Sequence, residues 1–71
     1  MMTLSTAKIG RKGTILYLKT EDEALTHKLM ALGIMPGIDI QLEQKFPSYI
    51  IKIGRTRATL DQETAQRIYI Q

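Results

Sequence analysis

A glutamate four residues before a histidine is this chain's nearest approach to a metal site. Glu23 and His27 share one face of any helix that carries them, and both side-chain types bind divalent transition metals. Two ligands are too few to hold an ion. His27 is the only histidine, and no cysteine is present to add a thiolate. The two residues are therefore expected to be an ordinary surface pair, with no metal ligands and no cofactor in the chain. Catalysis has even less support. No serine, histidine and acid fall at the spacing of a nucleophile with its base. Gly10-x-x-Gly13 lacks the Lys-Ser/Thr that completes a phosphate-cradling loop, and it does not open a helix. A non-enzyme is expected.

Charge offers a second kind of chemistry. Ten basic and seven acidic residues leave a net charge of +3. That balance permits nucleic-acid or acidic partners without demanding them. Six of the cations form two groups, Lys8, Arg11 and Lys12, then Lys52, Arg55 and Arg57. A small basic barrel that binds nucleic acid combines such groups with stacking aromatics. The aromatics here are Tyr17, Phe46, Tyr49 and Tyr69, with Phe46 expected in the core. An acidic protein patch, or anionic headgroups beside a membrane, would meet the same basic face equally well. With no tryptophan, proline-rich peptide recognition is a weak fit.

The elements that must position these residues can be read from spacing. Gly10-Arg11-Lys12-Gly13 reads as a turn with a glycine at either corner. Thr14 to Leu18 follows as a strand rich in β-branched and aromatic residues. Thr20-Glu21-Asp22-Glu23 is a helix start, with Thr20 as cap and Glu23 reaching back to its amide. Leu25, Leu29 and Leu32 recur at helical spacing and predict one apolar stripe, with Leu29 and Leu32 in the core. Gly33 can end the helix in the left-handed conformation, with apolar Ile34 packing back on the last turn. Pro36-Gly37 suits the centre of a type II turn. From Ile38 the period becomes two: Ile38, Ile40 and Leu42 face one way, and Asp39, Gln41 and Glu43 the other. Phe46-Pro47-Ser48-Tyr49 reads as a turn with Pro47 at its first corner. A return strand, Tyr49 to Ile53, leads to a corner at Gly54-Arg55. Arg57 to Leu60 is a third strand, Asp61 caps a helical turn near 61–66, and Ile68-Tyr69-Ile70 is a last strand.

This order predicts a mainly β fold: a small SH3-like barrel of about five short strands with one inserted α-helix, approximately 21–32. Closure would protect the strand edges. A ferredoxin-like α+β sheet is the alternative. A length of 71 residues fits a single domain, 1–71, which buries about 60% of its unfolded surface. The longest apolar run, Ile15 to Leu18, is far short of the roughly 20 residues of a membrane span. The first ten residues show no signal-peptide pattern, and a cytoplasmic location is expected.

Leu29-x-x-Leu32-Gly33-Ile34-x-Pro36-Gly37-x-x-Ile40 resembles the signature of the FeoA domain. The opening, Leu4-Ser5 and then Gly10-x-x-Gly13-x-Ile15, is similar to that family's start. The tail, Leu60-x4-Ala65-x2-Ile68-x-Ile70, resembles its end. The resemblance implies a small cytosolic SH3-like barrel of bacterial ferrous iron uptake. It implies an accessory role for FeoB, the membrane iron transporter with a cytosolic GTP-binding domain. The same domain type closes some iron- and manganese-dependent repressors, whose separate DNA-binding part has no room in this chain. The family often carries a longer, acidic loop where this sequence has the short, neutral Phe46-Pro47-Ser48-Tyr49.

The leading expectation is thus a non-catalytic accessory protein that docks on the cytosolic part of a FeoB-like transporter. Met30, Gly33, Ile34, Met35, Pro36, Arg55 and Arg57 are the expected contact residues. Methionines flanking the central motif would offer adaptable apolar contacts where exposed. Weak homo-oligomerisation through strand edges is compatible with this. The other readings are a nucleic-acid-binding barrel using Lys52, Arg55 and Arg57, and a metal-sensing regulatory module that binds iron or manganese through His27.

Overall fold

Alternating apolar residues need a sheet that turns one face inward, and this chain bends a single antiparallel sheet around its core. The computed structural model describes residues 1–71. In chain order the elements are β1 (Met2–Thr3), β2 (Lys12–Leu18), α1 (Glu23–Ala31), β3 (Asp39–Gln44), β4 (Tyr49–Ile53), β5 (Thr56–Leu60), α2 (Gln62–Ala65) and β6 (Ile68–Ile70). The six strands run in the order β1-β6-β2-β3-β4-β5. The expected mainly β fold with an inserted helix is therefore correct. The count rises by one strand because β1 is two residues long, too short to carry a periodicity.

Strand β2 is the bend. Its first part, Lys12 to Thr14, pairs with Gln41 to Asp39 of β3. Its second part pairs Ile15 with Ile70 and Tyr17 with Tyr69 of β6. The register slips between Ile15 and Tyr17, so an extra residue lets the strand turn from one neighbour to the other. Gly13 sits at this crowded point. A Cβ there would lie 2.9 Å from the Gln71 carbonyl oxygen. Gly13 is thus a close-approach residue inside a strand and not the turn corner expected of it. Gly10, with φ of +95°, is the corner.

The core holds fourteen buried residues, all apolar, and no buried polar residue. Ile40 and Leu42 of β3, Ile51 of β4 and Leu60 of β5 face it, as the alternation requires. Leu29 is the one fully buried residue of α1, and Leu25 packs against the core at its edge.

Three further expectations need correction. Leu32 is 42% exposed, because it is the helix C-cap and Ile34 takes the buried place after the chain reverses. Phe46 is 86% exposed: β3 bulges between Leu42 and Gln44, breaking the alternation before Phe46 is reached. The helix begins two residues later than a Thr20 cap would place it. The Thr20 amide already donates to Leu18 O, and the Thr20 hydroxyl accepts from the Asp22 amide. Asp22 is the cap, its carboxylate accepting from Leu25 N–H at 3.1 Å.

Candidate apolar docking groove

The turn that follows α1 builds the site. Ile34 N–H donates to Leu29 O at 2.8 Å, and Gly33 N–H donates to Met30 O at 2.9 Å. These are the paired bonds of a Schellman ending, with Gly33 at φ of +89°. Ile34 is thereby driven into the core, fully buried. Met35 and Pro36 follow on the surface. Ile38 N–H then donates to Met35 O across Pro36-Gly37, with Gly37 at φ of +92°. Gly37 N–H donates to Ile15 O at 2.8 Å, pinning the turn to β2.

The result is a groove of about 560 Å³ between the end of β2, α1 and this turn. Tyr17, Leu18, Thr20, Thr26, Met30, Met35 and Pro36 line it, none of them charged. Met30 is 46% exposed. The Tyr17 ring stacks on Tyr69, centroids 4.7 Å apart and nearly parallel, which holds the groove's β2 wall in place.

Of the residues singled out in the sequence, Met30, Met35 and Pro36 come together here. Gly33 and Ile34 do not line the groove; they shape the backbone beneath it. Arg55 and Arg57 lie elsewhere, at the β4–β5 hairpin. Tyr17, Leu18, Thr20 and Thr26 are not among the contact residues expected from the sequence. Their approach depends on the β2 bulge and the β2–β6 register, which no local pattern records.

The polar sheet face is a separate region. Lys12 pairs with Gln41, Gln41 with Lys52, and Lys52 with Arg57, forming one row across four strands. Arg57 is engaged by Glu43 through both carboxylate oxygens, Nη2 to Oε2 at 3.3 Å. The hydrogen bond from Arg57 holds the Glu43 carboxyl below the ordinary range, and Glu43 raises Arg57 in turn. The Asp61 carboxyl is lowered by hydrogen bonds from Thr64, as the cap of α2. Each shifted group thus has a structural cause. No three histidine, aspartate or glutamate side chains gather at metal-binding distance. His27 is exposed on α1.

Residues 2–71 match the FeoA domain family model. The chain belongs to the FeoA family. Among solved structures, an iron uptake regulatory protein (FeoA) is 27% identical with a TM-score of 0.87, over 99% of this chain and 93% of that one. The iron(II) transport protein A of Clostridium thermocellum is 32% identical with a TM-score of 0.88, over 99% of this chain and 44% of that one. Stenotrophomonas maltophilia FeoA, solved with zinc, is described as an SH3 domain protein and a candidate activating factor of ferrous iron transport. It shares the fold at 22% identity, with a TM-score of 0.84 over 100% of this chain and 91% of that one. No curated protein matches the chain. The SH3-like barrel of the FeoA family is the fold seen here, and no helix is long and apolar enough to cross a membrane.

Proposed function

We propose that this FeoA-family chain is a non-catalytic accessory of bacterial ferrous iron uptake, acting in the cytoplasm. It docks on the cytosolic part of a FeoB-type transporter through the groove of Tyr17, Met30, Met35 and Pro36. The observation that carries the role is the family match over residues 2–71. The groove supports the choice of surface. It is open and uncharged, and two methionines border it, side chains that adapt to a partner's shape. The non-catalytic reading draws on the shifted titratable groups. They are a surface ion pair and a helix cap, not an acid and base facing each other in a cleft.

The test is a binding titration of the full chain against the transporter's cytosolic segments, with and without guanine nucleotide. Binding is expected at concentrations of tens of micromolar or below, and Met30→Glu should weaken it by about tenfold or more, because a charge then enters an apolar contact. No binding under either condition sinks the docking claim. Binding that is indifferent to Met30→Glu and Met35→Glu moves it to another surface.

A further inference from the structure

The end of the barrel opposite in character to the helices carries a feature that transporter docking does not use. Phe46, at the tip of the β3–β4 hairpin, is the most exposed large apolar side chain, at 86%. Ile9 follows at 63%, Met1 at the terminus aside. Two hydrogen bonds place the segments that carry these residues at the same end. Lys45 Nζ donates to Ala7 O at 2.8 Å, and Gly10 N–H donates to Leu42 O at 2.7 Å. These two bonds lay the Ala7–Gly10 loop alongside the outgoing end of β3. Neither Phe46 nor Ile9 lines the groove; both project from turns.

Along the two segments that carry them the charge has one sign. Lys8 and Arg11 are exposed on the loop, and Lys45 precedes Phe46. No acid occurs from Leu4 to Lys19 or from Lys45 to Leu60. The nearest acid in sequence, Glu43, is engaged by Arg57. Asp61 follows Leu60, which pairs with Tyr49, but its carboxylate is taken up as the cap of α2, accepting from Thr64 N–H at 2.7 Å.

We propose that this end of the barrel is a membrane-surface contact. Phe46 and Ile9 enter the headgroup–acyl boundary of an anionic bilayer, while Lys8 and Arg11 face its headgroups. Projecting apolar side chains suit a deformable bilayer, as a protein partner would have to offer a matching pocket for each. The cationic surround matches anionic lipid, each basic residue near such a surface strengthening attachment about fivefold. Two apolar side chains without a lipid anchor give weak, reversible attachment. That is the regime for a protein that must find a membrane-embedded partner and leave it. The contact stands apart from the groove, so either proposal can fail alone.

The experiment is sedimentation of the full chain with vesicles of mixed phosphatidylglycerol and phosphatidylcholine, and with pure phosphatidylcholine. The chain should bind the anionic vesicles at low salt and release as salt rises. Phe46→Ser should weaken binding about tenfold, and Lys8→Gln about fivefold. Met30→Glu should leave vesicle binding unchanged. The chain has no tryptophan, so Phe46→Trp places a single indole at the tip. Its emission should shift to the blue on adding anionic vesicles. Absent binding, binding indifferent to Phe46→Ser, or an unmoved Phe46→Trp emission each overturns the proposal. So does a Phe46-dependent dimer in sedimentation velocity without lipid, which would make the tip a self-association surface.

Discussion

The groove and the sheet face solve the problem of surface exposure in opposite ways. Across β2 to β5, Lys12, Gln41, Lys52 and Arg57 stand in a row, and Glu43 neutralises the cation at its end. Asp39 is likewise occupied, accepting from the Thr14 hydroxyl at 2.7 Å. Water and neighbouring side chains satisfy such a face. The residues that line the groove with Met30, Met35 and Pro36 carry no charge, and apolar surface is left open to solvent. A small barrel loses stability by leaving such surface uncovered. The basic row is more conspicuous in the sequence, yet the uncharged groove is the region that gains by being covered.

The largest expected effect strikes the backbone under the groove. Ile34→Ala removes a fully buried side chain and should cost about 3 kcal/mol. A domain of this size loses about 4–8 °C of melting temperature per kcal/mol, so the loss should be obvious in a thermal melt. A drop of only a degree or two would mean that the turn is not anchored by its buried residue. The contrast with the sheet face would then weaken. Gly13→Ala should come next, at about 1–3 kcal/mol. Its new Cβ meets a backbone oxygen at 2.9 Å, which side-chain rotation cannot relieve. An unchanged melt would show that the end of β6 shifts freely away from β2.

How far these features were legible depends on how local their causes are. The helix ending is local: Gly33, Ile34, Pro36 and Gly37 each act within a few residues, and all were read correctly from type and order. The alternation of Ile38, Ile40 and Leu42 is local too. Phe46 was misplaced because a bulge in β3 broke the period before reaching it. Thr20 was misread as the cap because its amide is taken by Leu18 O, a bond that depends on how the end of β2 turns. Tyr17 was missed as part of the groove because its partner Tyr69 is fifty-two residues away, brought opposite by register alone (69 − 17). Three of the seven expected contact residues line the groove, and those three flank or form its turn.

A smaller effect separates the helical side from the strands. Asp61→Ala removes the cap of α2 and should cost about 1 kcal/mol. Asp61 is exposed, so solvent screens part of this effect. Its carboxyl is held below the ordinary range chiefly by the Thr64 hydrogen bonds. A depressed folded-state value means that the stabilisation is present above the ordinary carboxylate value, near pH 4. It is lost as pH falls through the lower folded value. Asp61→Asn should therefore flatten the acid limb of the stability curve. Equal acid slopes in the two proteins would place the capping bond outside the folded state's energetics.

The smallest expected effect tests the sheet face itself. Glu43→Gln removes the charge that Arg57 engages but keeps an oxygen able to accept from it. Both side chains are at the surface, Arg57 more than half exposed, and exposed pairs are screened by water and salt. The melting midpoint should stay within experimental error of the parent at moderate salt. Only at low salt should the freed Arg57 join Lys52 in binding a polyanion more strongly, since the row then lacks the acid that engages its end. A large fall in midpoint would instead make the Glu43–Arg57 pair a structural tie between β3 and β5. The face would then no longer be a self-satisfied surface, and the groove would lose its distinction as the uncovered one.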